Sequence, residues 1–134
     1  MKFVLDACAL IAYFRKEPGG EIIRDILLDK KNSVSIHALN LCEVYYDFLR
    51  ESNENTANEI IILVKELGID IRNDLDEDVW IEAGKIKATI KKISLADCFA
   101  ITLTNNIKAT LLTSDHSEFD RIAHEKLCRI QFIR

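Results

Sequence analysis

Residues 2–14 read Lys2-Phe3-Val4-Leu5-Asp6-Ala7-Cys8-Ala9-Leu10-Ile11-Ala12-Tyr13-Phe14. Lys2 to Asp6 is a short apolar run closed by an acid, as expected of a strand buried on both faces. Ala7 to Phe14 then reads as a short helix, ended by Glu17-Pro18-Gly19-Gly20. The same strand-then-helix unit recurs downstream. Ile23, Ile26 and Leu27 set a helical face to about Asp29, and Ser33-Val34-Ser35-Ile36-His37 reads as a strand. Leu41, Val44, Tyr45, Phe48 and Leu49 follow at helical spacing, and Ala57, Ile60, Ile61, Val64 and Leu67 do the same.

Ile69-Asp70-Ile71 alternates as a strand. Val79, Ala83, Ile86, Ile90 and Ile93 recur at intervals of 4, 3, 4 and 3, which predicts an amphipathic helix over 79–93. Leu95 to Asn106 continues as a more apolar helix, Ala109 to Thr113 as a buried strand, and Arg129 to Ile133 as an edge strand. Strands separated by helices require long crossovers, so the sheet is mainly parallel, with helices on both faces. The expected fold is a three-layer α/β/α sandwich. No repeat, low-complexity tract or shift in composition divides it, so residues 1–134 are expected to form one domain.

The composition agrees with a packed α/β domain. Of 134 residues, 49% are hydrophobic and 30% charged, too apolar for a disordered chain. Gly and Pro together number 5, too few for a turn-rich all-β protein. The formal net charge is −4, so no overall basic field advertises nucleic acid, and any polyanion contact would need a local patch. No segment approaches the roughly 20 apolar residues of a membrane helix, and the first residues lack the pattern of a signal peptide. Cys8, Cys42, Cys98 and Cys128 are 34, 56 and 30 residues apart, with no CxxC pair, which argues against zinc ribbons and thioredoxin-like motifs. They are expected to be reduced, buried thiols in a cytoplasmic protein.

In a parallel sheet flanked by helices, ligands sit outside the carboxyl ends of the strands. Asp6 ends the first strand, Glu43 lies early in the helix after the second, Asp97 opens an apolar helix, and Asp115 follows the Ala109–Thr113 strand. Each acid has a bland reading. Asp6 can be a simple N-cap, and Asn40 with Glu43, Ser94 with Asp97, and Asp115 with Glu118 all fit capping boxes. Convergence weighs against capping alone, because helix starts after parallel strands share one edge. Two carboxylates about 5 Å apart repel by roughly 3 kcal/mol at an effective dielectric near 20. Four of them call for protonation or a multivalent cation, and an all-oxygen donor set suits Mg²⁺ or Mn²⁺.

Four stretches carry a resemblance: Val4-Leu5-Asp6-Ala7-Cys8-Ala9-Leu10-Ile11-Ala12, Asn40-Leu41-Cys42-Glu43-Val44, Ser94-Leu95-Ala96-Asp97-Cys98-Phe99-Ala100, and Leu111-Leu112-Thr113-Ser114-Asp115-His116-Ser117-Glu118-Phe119. Together, in this order, they resemble the signatures of PIN-domain ribonucleases, and a stand-alone domain of this size is most similar to VapC-type toxins of toxin–antitoxin pairs. The resemblance implies that Asp6, Glu43, Asp97 and Asp115 hold one or two Mg²⁺ or Mn²⁺ ions. It implies hydrolysis of an RNA phosphodiester by a metal-activated water, a homodimer, and a small cognate antitoxin docking over or near the acids. One position departs from the family: Cys8 stands where Ser or Thr is usual.

Lys85, Lys87, Lys91 and Lys92 gather at the end of the predicted 79–93 helix, which suits its dipole. Lys91 and Lys92 also precede the Asp97 motif and would guide an RNA backbone toward the acids. Arg15 and Lys16, after the helix that starts at Asp6, invite the same reading. His116 beside Asp115 reads as a solvated loop residue, and His37 and His124 carry no assigned role. Thr113 and Ser114 read as strand-end turn residues or as hydroxyls serving Asp115. A phospho-accepting receiver domain is a poor rival, because Ile69-Asp70-Ile71 runs on into Arg72-Asn73 and no late Lys follows Thr113-Ser114. Haloacid-dehalogenase-like phosphatases want a second Asp where Cys8 stands. The remaining alternative is a non-catalytic or RNA-processing PIN domain that acts as an RNA- or partner-binding module.

Overall fold

The computed structural model describes residues 1–134. In chain order the elements are β1 (Lys2–Leu5), α1 (Ala7–Phe14), α2 (Gly20–Leu28), β2 (Ser33–His37), α3 (Ala38–Glu51), α4 (Glu54–Glu66), β3 (Asp70–Arg72), α5 (Glu77–Thr89), α6 (Leu95–Asn106), β4 (Thr110–Thr113), α7 (His116–His124) and β5 (Ile130–Phe132). The five strands form one sheet in the order β3-β2-β1-β4-β5, and every pairing is parallel. The chain lays β2 and β3 on one side of β1, then crosses to lay β4 and β5 on the other. The direction of winding therefore reverses between β1 and β4, and the crevice of such a sheet opens at their carboxyl ends.

Alternation along the strands separates two cores. Phe3 and Leu5 of β1 and Leu112 of β4 join α1, α2, α3 and α4 in one cluster. Val4 and Leu111, on the opposite face, join α5, α6 and α7 in the other. The more apolar helix expected over Leu95 to Asn106 is α6, and it is buried without a break from Asp97 to Thr104. Its Thr102 and Thr104 hydroxyls bond the carbonyls of Cys98 and Ala100 one turn back, at 2.9 and 2.7 Å, so they need no solvent.

Three expectations are corrected. The helix expected over 79–93 stops at Thr89; Ile90 and Ile93 are buried, but they lie in the turn that leads to α6. There the ammonium of Lys87 donates to the carbonyls of Lys91, at 3.2 Å, and of Ile93, which closes the turn. The box expected between Asn40 and Glu43 does not form, because α3 begins at Ala38 with His37 as its cap. The His37 Nδ1 accepts from the Leu39 N–H at 3.1 Å, so Nε2–H is the donor to the Asp74 carbonyl at 2.9 Å. Of the four cysteines, Cys98 and Cys128 are buried as expected, whereas Cys8 and Cys42 reach the surface. α7 is signalled in the sequence only by the Asp115–Glu118 pair.

Two glycines in helices make opposite predictions. A Cβ on Gly20, the first residue of α2, would lie 2.6 Å from the Ala12 carbonyl oxygen, so α1 and α2 meet there through bare backbone. Gly84, inside α5, has nothing within 4 Å of that position. Urea unfolding should show Gly20→Val destabilised by about 1–3 kcal/mol, and Gly84→Ala stabilised by about 0.5–1 kcal/mol. Equal midpoints for the two variants would contradict the packing described.

Candidate active site

β1 ends at Leu5, and the next residue, Asp6, caps α1: its Oδ1 accepts from the Ala9 N–H at 2.8 Å. Its other oxygen, Oδ2, accepts from the hydroxyl of Thr113, the last residue of β4. The same Thr113 oxygen accepts from the Asp115 N–H at 3.0 Å. Thr113 is fully buried, and it joins Asp6 and Asp115, the first and last of the four candidate acids, through one hydroxyl. Asp115 in turn caps α7, with its Oδ1 accepting from the Glu118 N–H at 3.2 Å and the Ser117 hydroxyl at 2.6 Å.

Asp97 lies in the first turn of α6, where its N–H donates to the Ser94 hydroxyl at 3.1 Å. Asn40 of α3 is buried and donates to the Ala96 carbonyl at 3.2 Å, which ties α3 to that first turn. Glu43 stands about one turn further along α3, half-buried. Two of the proposed capping boxes thus form only by half. Ser94 and Asp115 cap their helices, but neither Asp97 nor Glu118 returns its carboxylate to the cap's backbone N–H. Capping accounts for Asp6 and Asp115 and leaves the Asp97, Glu118 and Glu43 carboxylates without a structural task.

Electrostatics bring the acids together. Asp6 is 1% and Asp97 7% exposed. Burial is the main force raising the Asp6 carboxyl from 3.8 to about 7; the Thr113 and Ala9 bonds oppose it, and the charges of Asp115 and Glu43 add to it. Burial also raises Asp97, helped by a hydrogen bond with the Glu118 carboxyl and by the charges of Asp6 and Glu118. Glu43 is raised by burial and then by Glu118. The Cys8 thiol reaches solvent yet is pushed up to about 12, first by partial desolvation of its sulfur and then by Asp6, Asp115, Asp97 and Glu43. One thiol therefore feels all four acids expected from the sequence, and it stays protonated and a poor metal ligand.

Glu118 is the residue that sequence reading missed, because its spacing from Asp115 is fully explained by a capping box. Its Oε2 is buried without a hydrogen-bond partner, as is the Oδ1 of Asn40. The Glu118 carboxyl also acts on that of Asp97 and helps to raise it. An orphaned carboxylate oxygen beside a buried acid, with only hard oxygen donors around them, fits a divalent cation of the Mg²⁺ class. No three of the side chains are yet drawn into a closed coordination set.

The other candidates lie further out. Lys91 and Lys92 are exposed on the turn before Ser94. Arg15 and Lys16 are at the far end of α1 from Asp6, where Arg15 pairs with Asp47 at 2.7 Å and lies 4.7 Å over the Phe48 ring. Lys16 borders a cavity of about 650 Å³ with Tyr13, Phe14, Leu63 and Leu67, and none of Asp6, Glu43, Asp97, Asp115 and Glu118 lines it. His116 is bonded by Asp120 and the Arg134 carbonyl and stacks on Phe132, with ring centroids 4.0 Å apart.

The profile of the PIN domain family matches residues 3–125. Among curated proteins, none matches this sequence. Similar solved structures include VapBC2 from Rickettsia felis bound to a promoter DNA fragment, at 19% identity, 98% of each chain covered and a TM-score of 0.74. VapBC-1 from nontypeable Haemophilus influenzae is 19% identical over 99% of this chain and 98% of its own, with a TM-score of 0.72. VapC20 from Mycobacterium tuberculosis, a sarcin–ricin loop cleaving toxin, is 10% identical over 90% of this chain and 95% of its own, with a TM-score of 0.72. At these identities the likeness is one of fold.

The buried acids make a stability prediction. Asp6 binds its proton more tightly folded, with a value of about 7, than unfolded, near 3.8. The folded chain therefore holds the extra proton within that window, and its stability falls as pH rises through it, by an amount on the order of a few kcal/mol. In chelator, the urea midpoint should drop between pH 5 and pH 8, and Mg²⁺ or Mn²⁺ should restore it mainly at pH 8. Asp6→Asn should flatten the profile; a slope unchanged in that variant would mean that Asp6 is not its source.

Proposed function

The chain belongs to the PIN domain family, and from that membership we propose that residues 1–134 form one nuclease domain, a metal-dependent endoribonuclease that serves as the toxin of a toxin–antitoxin pair. The observation that carries the reading is the meeting of Asp6, Glu43, Asp97, Asp115 and Glu118 at the carboxyl ends of β1 and β4, with three of those carboxylates unused by the fold. These five residues would hold one or two Mg²⁺ or Mn²⁺ ions. When bound, the ion supplies a water of lowered pKa and neutralises charge developing on the phosphate.

The chain's own groups do the positioning. Thr113 fixes one Asp6 oxygen and Ala9 the other, so that carboxylate has one orientation. Asn40 and Ser94 hold the first turn of α6, which sets the place of Asp97. To hold a cation, the Asp97 carboxyl would have to be ionised beside Glu118, and the cation's charge would offset their repulsion. Burial keeps the dielectric low, so charges placed there act more strongly than in water. Lys91 and Lys92 are the proposed contacts to the RNA backbone. Arg15 and Lys16 are weaker candidates, since Asp47 already neutralises Arg15.

The partners follow from the same reading. A cognate antitoxin is supported by the fold shared with VapBC complexes. A homodimer is supported by exposed apolar side chains on α3 (Tyr46, Leu49) and α5 (Trp80, Ile81). No helix is long and apolar enough to cross a membrane, and the four unbridged thiols fit the reducing cytoplasm.

The test is incubation of total cellular RNA with purified protein, in Mg²⁺ or Mn²⁺ and in EDTA, beside an Asp6→Ala control. Discrete fragments that require metal and disappear in the control are expected. Asp97→Asn should lose more than ~100-fold in turnover with its fold intact, and Thr113→Val about 10–100-fold, as expected for a group that orients a ligand. Metal binding without any cleavage would make the chain a non-catalytic binding module instead.

A further inference from the structure

Beside the acids lies a second cavity, about 350 Å³, between the turn that joins α5 to α6 and the first turns of α7. Thr89, Lys91 and Lys92 line it from one side, and Ser117, Glu118 and Arg121 from the other. Glu118 is the shared wall, since its charge acts on Asp97 and Glu43 in the acid cluster and it also borders this cleft. The three cations face only this one carboxylate among the cleft's lining residues.

The dipole explanation offered for the lysines does not reach Lys91 and Lys92. α5 ends at Thr89, and the basic residue in its last turn is Lys87. Neither Lys91 nor Lys92 enters an ion pair. The Arg121 Nε is paired with Glu125 at 3.2 Å, and the two terminal nitrogens of its guanidinium make no hydrogen bond within the protein. Lys87 is engaged by the carbonyls of Lys91 and Ile93, so it serves as the clamp that holds Lys91 and Lys92 in place. Cations on a clamped turn lose less freedom on binding than cations on a free one.

We propose that this cleft is a subsite for one backbone phosphate of single-stranded RNA, next to the phosphate that reacts at the acids, with Lys91, Lys92 and Arg121 as its contacts. The inference rests on the ribonuclease reading and adds a direction to it. A strand crossing the acids meets Lys91 and Lys92, which enter no ion pair, on the α5–α7 side, with the terminal nitrogens of Arg121 beside them although its Nε pairs with Glu125; on the α1 side Arg15 is neutralised by Asp47 and lies at the end of α1 away from Asp6. The substrate therefore leaves the reacting phosphate toward the cleft, past Glu118.

The test is fluorescence-anisotropy titration with a short labelled single-stranded RNA of mixed sequence, in EDTA and again in Mg²⁺ with Asp97→Asn to block turnover, over a range of salt. Replacing Lys91, Lys92 and Arg121 together by Ala should weaken binding at least ~10-fold near 0.1 M salt and reduce the slope of log K against log salt by roughly 0.7, the value for one phosphate contact on a single strand. Arg121→Lys should keep the slope. Lys30→Ala/Lys31→Ala, on the exposed turn before β2 at the other end of the sheet, should bind as wild type. Equal losses in the Lys30/Lys31 variant, or none in the triple variant, would overturn the subsite, as would absence of wild-type binding in both buffers. Tight wild-type binding of poly-glutamate that RNA cannot displace would assign the cleft to an acidic polypeptide instead. Metal-dependent cleavage is scored separately: cleavage with unchanged KM in the triple variant rejects the subsite and leaves the nuclease standing, whereas neither cleavage nor binding by wild type rejects both.

Discussion

The structure turns on one buried carboxylate. Asp6 sits where β1 gives way to α1, next to the end of β4, and both its oxygens are engaged by the protein. An isolated buried carboxylate is costly; here a helix N–H and a strand hydroxyl make it tolerable. Those two bonds also fix the relation of β1 to β4 at the point where the winding of the sheet reverses. Remove them, and α1, β4 and the start of α7 lose their common reference.

Helix starts help to bear the remaining charge. Asp6 caps α1, Asp97 lies in the first turn of α6, and Asp115 caps α7. Each helix N-terminus carries roughly half a positive charge in unsatisfied N–H groups. Three such ends converge on the acids and offset part of their repulsion. The same residues that begin the helices are thus the ones that assemble the cluster, and stability and chemistry draw on one set of side chains. The raised pKa values of Asp6, Asp97 and Glu43 show that the offset is incomplete.

Most of the architecture was legible in the sequence because local signals and tertiary roles agree. β1 and β4 are mainly apolar runs and β2 carries β-branched residues between polar ones, and all three are central strands. Asp97 stood out as an acid opening an otherwise apolar helix, and α6 is buried from Asp97 to Thr104. Reading failed where two causes leave one pattern. Glu118 is three residues after an N-cap, so its spacing is that of a capping box, and only the folded chain shows its carboxylate turned toward Asp97. Ile90 and Ile93 continue the helical period, yet they are buried in a turn that Lys87 clamps from a distance along the chain. α3 starts early because an imidazole caps it, and His is not among the residues that announce a helix start. Arg121 pairs with Glu125 one turn on, which looks like an ordinary solvated face.

The two cores carry a consequence of their own. Val4 and Leu5 are neighbours in sequence, yet they belong to packing clusters that the sheet keeps apart. Substitutions in separate clusters combine almost additively, so each helical layer is free to drift without repacking the other. The layer of α5 to α7 bears Lys91, Lys92 and Arg121, and that of α1 to α4 bears other surfaces. A lineage built on this plan can retarget one flank while the strand ends between them, with Asp6 and Thr113, stay as they are. The seam itself draws on both layers, since Glu43 belongs to α3, Asp97 to α6 and Glu118 to α7, so such drift is free only away from the helix starts that carry these acids.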